Sequence, residues 1–435
     1  MPELSYYGDD FTGSTDVMEA LTGNGVPTVL FTRLPSTAQR ARFPEARAIG
    51  LAGESRSRSP DWMDRHLPQV FDWLQSLGAR HCHYKTCSTF DSAPGIGSIG
   101  RAAEIGLRAF GQRHAHVVVG APQLRRYTMF GTLFASFQEE VHRIDRHPVM
   151  ARHPATPMAE ADLRRHLAGQ TDLPMGVLGP EIERQPSGIA ALRRSRAAGD
   201  RLTLLDVYDA ASQARVGALI EEALAETGPF IIGSSGVEYA LIRAWQAAGQ
   251  IPEPEGTRPL ERQEVIAVVS GSCSPTTERQ IRHACLAGFR GIAVDYAALA
   301  YGQGAEAALD AAFDSASQAL RNGQSPIMYT ALGAPDANDA PEAANDRVGQ
   351  GLGRLLDRVM TDFELPRVGV AGGDTSSHAL SILDTYALTL RRPLPDTPGS
   401  PVCLAHREGK PGFEIALKGG QVGADAYFVT LRDGL

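Results

Sequence analysis

The chain has 435 residues, a formal net charge of −8, 43% hydrophobic residues and 21% charged residues. These proportions are ordinary for folded proteins and argue against global disorder, and the length suffices for two or three domains. The acidic balance, without a basic tract, argues against nucleic-acid binding, and the absence of an apolar run of about 18 residues argues against a membrane span.

The cysteines and the N-terminal sequence predict a cytoplasmic location. Five cysteines are an odd number, and none has a partner at the spacing of a metal site, so we expect free thiols in a reducing compartment. The first ten residues, MPELSYYGDD, lack the basic and apolar regions of a signal peptide.

Short apolar runs alternate with longer amphipathic runs, which predicts an α/β fold with largely parallel sheets flanked by helices. Helices are expected between the strands, for example at residues 14–21 and 60–77. Residues 251–263, with three prolines and no apolar period, predict a linker between an N-terminal domain (1–250) and a C-terminal domain (264–435). Strands are predicted at residues 4–7, 28–31, 48–51, 83–86, 116–119, 175–178, 202–207, 230–232, 265–269, 291–294, 326–329 and 367–371.

The first predicted strand runs into two adjacent carboxylates, Asp9 and Asp10, and then into a hydroxyl-rich turn and a helix. In open α/β sheets ligands bind beyond the carboxyl ends of the strands, where helix N-termini favour anions. One carboxylate is suited to accept a proton from a substrate hydroxyl, and the other to orient that hydroxyl or to bind a metal. Helix capping alone is the competing interpretation. A haloacid dehalogenase is disfavoured, because its D-x-D-x-T motif does not place the acids side by side.

The fourth predicted strand leads into Lys85 and a turn with four small hydroxyl side chains, a pattern suited to a carboxylate or a polyhydroxylated acid. The glycines of residues 95–100 formally match G-x-G-x-x-G. They lie well past the strand end, so a dinucleotide site there is only weakly indicated. Further along, Arg125 and Arg126 follow another strand and are candidates for bidentate carboxylate recognition.

Three small-residue segments lie beyond the linker, at residues 270–274, 372–377 and 418–423. Backbones without bulky side chains let phosphates approach peptide N–H groups closely, so together these segments indicate a nucleotide phosphate site. The Walker sequence G-x-x-x-x-G-K-[ST] is absent from the chain, which argues against a P-loop enzyme.

Lysine is rare in this chain: of 42 basic side chains only Lys85, Lys410 and Lys418 are lysines. Coding bias accounts for the excess of arginine. A lysine ammonium, however, is a compact charge suited to phosphate oxygens, and arginine does not replace it freely. Lys85 and Lys418 fall within the candidate ligand segments, whereas Lys410 is expected to be a turn residue.

Six motifs in order along the chain resemble the four-carbon acid sugar kinase family. They are GDDFTGSTD (8–16), YKTCSTFDS (84–92), HPATPM (153–158), SGSCS (270–274), GGDTSS (372–377) and ALKGGQVG (416–423). The resemblance implies an N-terminal substrate domain, a C-terminal nucleotide domain and an active site in the cleft between them. It implies ATP-dependent phosphorylation of the terminal hydroxyl of D-threonate, D-erythronate or 3-oxo-tetronate, or else of 3-oxo-isoapionate.

The resemblance also implies roles for individual residues. Asp10, or else Asp9, is the expected general base. The expected substrate-binding residues are Ser14, Lys85, Ser88 and Arg126. The expected ATP-binding residues are Ser272, Gly372, Gly373, Asp374, Thr375 and Gly420, with Lys418 near the phosphates. Mg²⁺ is expected with ATP, although no motif identifies its ligands.

Two departures from the family pattern leave the substrate open. Members often have Glu where this chain has Asp374, and Lys-Ser-Gly-Asn-Phe-Gly where it has residues 418–423. Two other functions stay as alternatives: a non-catalytic sugar-acid sensor, which would bind no nucleotide, and a dehydrogenase that uses residues 95–100. No nucleic-acid or membrane partner is expected, and a homodimer is one option for the oligomeric state.

Overall fold

The protein is described from a computed structural model, which covers residues 1–153, 155–180, 188–252, 256, 258–333, 342–394, 397 and 399–434. The chain forms two compact units. Unit 1 consists of Met1–Thr28 and Ser36–Glu255, and unit 2 of Val29–Pro35 and Gly256–Leu435. The short segment Val29–Pro35 therefore differs from the sequence-based expectation, which included it in a continuous N-terminal domain.

Strands and helices alternate along most of the described chain. The strands are β1 (Leu4–Gly8), β2 (Thr28–Phe31), β3 (Ala48–Ala52), β4 (His81–Lys85), β5 (Ala115–Val118), β6 (Arg126–Met129), β7 (Thr132–Phe137), β8 (Glu140–Arg143), β9 (Met175–Leu178), β10 (Leu202–Leu205), β11 (Phe230–Gly233), β12 (Ala267–Ser270), β13 (Arg290–Ala293), β14 (Pro326–Tyr329), β15 (Arg367–Ala371), β16 (Thr385–Arg392), β17 (Val402–Arg407) and β18 (Phe413–Lys418). The helices are α1 (Phe11–Gly23), α2 (Thr37–Ala41), α3 (Pro60–Ser76), α4 (Ile99–Ala109), α5 (Leu163–Ala168), α6 (Gly188–Ala197), α7 (Ala210–Thr227), α8 (Gly236–Ala247), α9 (Pro275–Leu286), α10 (Tyr296–Tyr301), α11 (Ala305–Arg321), α12 (Glu342–Asp362), α13 (Gly373–Ile382) and α14 (Tyr427–Asp433).

Unit 1 contains a parallel sheet in the order β3-β1-β4-β11-β5-β10-β9, and a separate antiparallel sheet, β6-β7-β8. The central strands β1, β4 and β11 are buried along their whole length, as expected for a parallel sheet covered on both faces. Their register places Gly8 and Gly233 on either side of Lys85. The segments that follow these three strands therefore leave the sheet at one edge.

Unit 2 contains parallel strands in the order β13-β14-β12-β15-β18, continued by the antiparallel strands β17 and β16. Ser270, Ala371 and Lys418 are in register at the ends of β12, β15 and β18. The three small-residue segments identified from the sequence thus begin side by side.

The antiparallel end of the unit 2 sheet is extended by β2. Phe31 pairs with Ala387, and Val29 with Thr389. The Thr32 hydroxyl donates a hydrogen bond of 2.6 Å to the carbonyl of Thr385, which extends the pairing by one residue. A short segment of the N-terminal sequence thus supplies a strand to a sheet built from the C-terminal sequence.

The fold confirms the predicted α/β class, with largely parallel strands in each unit, and each of the twelve predicted strands corresponds to an observed one. The sequence analysis missed the antiparallel strands β6, β7, β8, β16 and β17, as well as β18. Within the described residues, no helix has the length and apolar character needed to cross a bilayer.

Candidate active site

Asp10 caps the helix that leaves the first strand of unit 1. Its Oδ1 accepts a hydrogen bond of 2.5 Å from the N–H of Gly13, and its backbone is extended, as is usual for an N-cap residue. Its Oδ2 accepts a hydrogen bond of 2.7 Å from Nη1 of Arg56. The side chain remains 30% exposed, so a ligand can reach this carboxylate.

Asp9 lies in a different environment although it is adjacent in sequence. It is 3% exposed, and its Oδ1 has no hydrogen-bond partner among the described residues. Burial, and then the negative charge of Asp10, raise the pKa of Asp9 to about 8. Asp9 therefore holds a proton at neutral pH, and Asp10 is the accessible member of the pair.

We expect Asp9→Asn to make the fold progressively more stable than the wild type as the pH rises from 6 to 9. The raised pKa of Asp9 contributes stability that is fully present below about pH 4 and is lost as the pH rises through about 8. The amide cannot ionise and loses nothing in this range. Urea unfolding at a series of pH values measures the difference, and a constant difference from pH 6 to 9 would contradict the assignment.

Arg56 links Asp10 to a second carboxylate and was not identified from the sequence. It lies in the 3₁₀ turn Ser55–Ser57 that follows β3, and its Nη2 donates to both oxygens of Asp91 at 2.9 and 2.8 Å. Asp91 also accepts hydrogen bonds from Thr89 (2.5 Å) and Thr156 (2.8 Å). Burial alone would raise the pKa of Asp91, but Arg56 and these hydroxyl donors outweigh it, so the net pKa is lowered. Asp91 is therefore a buried carboxylate that stays ionised.

Lys85 is 2% exposed and lies beside the first turn of α1. Its Nζ is 3.7 Å from Oδ2 of Asp16, which also accepts a hydrogen bond from the Ser235 hydroxyl. Burial by itself lowers the pKa of Lys85, but the charges of Asp16 and Asp10 outweigh it, so the pKa is raised. Lys85 is therefore a permanently charged group within the carboxylate cluster.

The other predicted substrate-binding residues have different surroundings. Ser14 is completely buried, and its hydroxyl donates to the Asp10 carbonyl at 2.7 Å, so it supports the turn. Ser88 is half-buried in the turn after β4. Nη1 of Arg126 donates to the Leu124 carbonyl at 3.0 Å, and burial lowers the pKa of this guanidinium. Ser14 is thus a structural residue, whereas Ser88 lies in the turn that follows Lys85.

The glycines of residues 95–100 pack against protein. A Cβ atom on Gly100 would lie 2.8 Å from the Gln170 side chain, and one on Gly97 would collide with the Arg56 backbone. Ser98 caps α4 through a hydrogen bond of 3.1 Å from the Arg101 N–H. The glycine spacing therefore has a packing explanation, which removes the support for a dinucleotide site.

In unit 2 the structure brings together the predicted nucleotide-binding segments. The N–H of Gly372 donates to the Lys418 carbonyl at 2.9 Å, so the ends of β15 and β18 are joined. The Ser272 and Thr277 hydroxyls are 3.0 Å apart, and a Cβ on Gly420 would lie 2.9 Å from the Ser272 hydroxyl. Gly372 has a φ of +117°, which other residues rarely adopt.

The remaining predicted residues of this group lie on helix α13. Thr375 is 6% exposed, and its hydroxyl packs close to Gly271 and Gly372. Gly373 is the first residue of α13, so its backbone lies at the helix N-terminus, where anions are favoured. The side chain of Asp374 lies outside the described part of the structure, as does Pro154 of the HPATPM motif.

Lys418 is 1% exposed, and its Nζ lies within hydrogen-bond distance of the Gly419 carbonyl at 2.7 Å. Burial lowers the pKa of this side chain to about 7. The ammonium expected near the phosphates is therefore directed into its own loop.

The sequence contains a signal that would have identified Arg56. It lies five residues past the predicted strand 48–51, beyond the carboxyl end of a strand as Asp10 does. Because most cations of this chain are arginines, the residue type alone does not distinguish Arg56. The rule that ligands bind beyond the carboxyl ends of parallel strands would have identified it.

Comparison with known proteins agrees with the two-unit arrangement. Residues 4–241 match the family described as the sugar-binding N-terminal domain, and residues 267–428 match the nucleotide-binding C-terminal domain. The 3-oxo-isoapionate kinase of Paraburkholderia graminis is 43% identical to this chain, over 99% of the chain and 94% of the relative. The 3-oxo-tetronate kinase of Pseudomonas fluorescens is 29% identical, over 98% and 96%.

A solved structure from Salmonella typhimurium LT2 has the same fold. It superposes with a TM-score of 0.79 at 25% identity and covers 99% of this chain and 98% of its own. The paired matches to a sugar-binding and a nucleotide-binding domain, together with a 43% identical kinase over nearly the full length, establish the relationship. The chain belongs to the four-carbon acid sugar kinase family and is a kinase that phosphorylates a hydroxyl group.

Proposed function

We propose that this kinase transfers the γ-phosphoryl group of ATP to a hydroxyl of a small oxo sugar acid, with Asp10 as the general base. The observation that carries the proposal is the environment of Asp10. Its carboxylate is fixed by Gly13 and Arg56 and is 30% exposed at the carboxyl end of a central parallel strand. A fixed, accessible carboxylate is suited to accept the proton of the attacking hydroxyl.

Asp9 is the weaker candidate for the base. A general base must come within about 3 Å of the proton that it accepts, and a side chain that is 3% exposed does not meet this requirement. Its raised pKa also leaves it protonated at neutral pH, without the negative charge that would attract a proton.

Positive charge around the turn after β4 supports recognition of an acid. Lys85 is the last residue of the strand that leads into this turn, and the neighbouring carboxylates of Asp16 and Asp10 keep it charged. We propose that Lys85 and Arg126 attract the substrate carboxylate by charge and that Ser88 donates to a substrate oxygen. Arginine and lysine beside a small hydroxyl group form a usual carboxylate-binding combination.

The first substrate to consider is 3-oxo-isoapionate, and 3-oxo-tetronate is the second. The order follows the similarity to the two relatives, 43% against 29% identity, each over at least 98% of this chain. D-threonate and D-erythronate, which carry no oxo group, come after these.

Mg²⁺ is proposed as the companion of ATP. Among the described residues, no three His, Cys, Asp or Glu side chains are grouped so that they could hold a metal ion. Mg²⁺ is usually bound chiefly by substrate phosphates and water with one or two carboxylates. When bound, it would neutralise charge on the phosphate oxygens during transfer.

The substrate is tested by an ATP-consumption screen of the purified protein with 3-oxo-isoapionate, 3-oxo-tetronate, D-threonate, L-threonate and D-erythronate. We expect the highest kcat/KM with 3-oxo-isoapionate. A higher kcat/KM with 3-oxo-tetronate would reverse the order of the two acids. Calorimetry with MgATP gives the control: a non-catalytic sensor would bind no nucleotide and would consume no ATP with any acid.

A further inference from the structure

We propose that Lys418 and Gln280 are positioning residues that turn the carbonyls of the Gly419–Ala424 loop inward, so that its peptide N–H groups bind the ATP phosphates. This inference rests on the proposed ATP-dependent reaction. It differs from the expectation that the Lys418 ammonium itself contacts a phosphate.

Oxygen atoms of the protein surround the Lys418 ammonium. Its Nζ lies 2.7 Å from the Gly419 carbonyl, 3.2 Å from that of Gly420 and 3.3 Å from that of Val422. A fourth oxygen, the Thr277 hydroxyl, is at 3.1 Å. An ammonium has three protons to donate, so these four acceptors already use its capacity. With 1% of the residue exposed, no phosphate oxygen reaches it in this conformation.

Gln280 interacts in the same way with the carbonyls of the second half of the loop. It lies in α9 and is completely buried, and its Nε2 is 3.0 Å from each of the carbonyls of Val422, Gly423 and Ala424. Thr277, one turn earlier in α9, donates to the Gly420 carbonyl at 2.9 Å. Helix α9 and Lys418 thus lie within hydrogen-bond distance of five of the six carbonyls from Gly419 to Ala424.

Planar trans peptides place each carbonyl and the following N–H on opposite sides of the chain. With the carbonyls directed towards Lys418 and α9, the N–H groups of Gly420, Gln421, Gly423 and Ala424 face away from them. Among the described residues, none of these four N–H groups donates a hydrogen bond to another group. A run of outward N–H groups forms a concave anion site of the kind that holds phosphates.

Two glycines allow the loop to adopt this arrangement. Gly423 has a φ of +93°, and a Cβ there would lie 3.1 Å from Nε2 of Gln280. A Cβ on Gly420 would lie 2.9 Å from the Ser272 hydroxyl, in the same group of strand-end segments. Side chains at these positions would disturb the contacts that orient the loop.

The wild-type protein provides the first test, by hydrogen exchange with mass spectrometry. The peptide that covers residues 419–425 should exchange quickly in the free protein and should be protected by MgATP but not by adenosine. Bound ATP without protection of this peptide would overturn the proposal. Failure of the wild type to bind or consume ATP would instead overturn the proposed function, so the two failures are distinguishable.

Substitution separates positioning from direct contact. Gln280→Met removes the donor for three carbonyls at a residue that cannot touch a ligand. We expect it to raise the KM for ATP about tenfold, the equivalent of one or two lost hydrogen bonds, and to leave the KM for the sugar acid unchanged. Lys418→Met should act in the same direction, and Lys410→Met, at an exposed residue, is the matched control.

A direct role of the ammonium predicts a different result. In that case Lys418→Met would weaken ATP binding while Gln280→Met, folded as judged by thermal unfolding, would bind ATP like the wild type. This outcome would also overturn the proposal. The exchange experiment keeps the proposal testable if either substitution prevents folding, because it needs no variant.

Discussion

Asp10→Asn is expected to lower kcat by at least about 100-fold, the scale of general-base catalysis by a positioned side chain. The amide has nearly the same shape as the carboxylate, and asparagine caps helices about as well as aspartate, so α1 should stay intact. What the variant lacks is the charge that accepts the substrate proton. Steady-state kinetics at saturating ATP and sugar acid measure the effect.

The matched control is Asp209→Asn. Asp209 caps α7 by accepting a hydrogen bond of 2.7 Å from the N–H of Ser212, as Asp10 accepts one for α1, but no arginine among the described residues hydrogen-bonds to it. We expect wild-type kcat from this control. Near-wild-type turnover of Asp10→Asn would remove Asp10 from the base role and would leave Asp9 as the next candidate.

The second large effect is expected for Arg56→Met, which should destabilise the fold by about 3 kcal/mol or more. Removal of one member of a buried ion pair leaves the other charge without compensation. The Asp91 side chain has no exposed surface, and Arg56 provides the only cation that hydrogen-bonds to it among the described residues. Urea unfolding at pH 7 measures the loss.

Arg193→Met is the control for the loss of an arginine as such. Arg193 pairs with Glu226, but its side chain is 60% exposed, and exposed pairs contribute little. We expect a change below about 1 kcal/mol. Equal destabilisation by the two substitutions would show that the pairing of Arg56 with Asp91 contributes no more to the free energy of unfolding than an exposed ion pair does.

The pH dependence provides a further check on the Arg56 variant. The pKa of Asp91 is lowered in the folded protein, so its contribution to stability is present above the ordinary carboxyl pKa of about 4 and is lost as the pH falls below it. The stability difference between the wild type and Arg56→Met should therefore shrink as the pH falls from 7 towards 3. A difference that grows in acid would contradict the pairing.

The parallel core was predictable because its strands are short, almost uninterrupted apolar runs. Strands β16 and β17 were not, because polar residues such as Thr389 and His406 lie within them and arginines lie at their ends, and an antiparallel strand tolerates such residues on a solvated face. The strands β6, β7 and β8 are likewise short and mix apolar with polar residues. Alternation is a weaker signal than a continuous apolar run when turns are short.

Because lysine is rare in this chain, the sequence pointed to two residues that prove to be buried, but the role of Lys418 became clear only from the structure. Lys85 and Lys418 are 2% and 1% exposed, whereas Lys410 is exposed. The sequence shows that Lys418 precedes a glycine-rich loop, and it does not show on which side of the loop the ammonium lies. That depends on Thr277 and Gln280, more than 130 residues earlier in the chain.

Strand β2 has a consequence for the order in which the protein can fold during synthesis. Thr32 and its partner Thr385 are 353 residues apart, so this strand leaves the ribosome long before the sheet that receives it exists. Until then its backbone groups have no β16 partner, and chain elongation sets the waiting time. A fragment that begins after residue 35 would leave the edge of β16 open, and such an edge invites pairing with other chains.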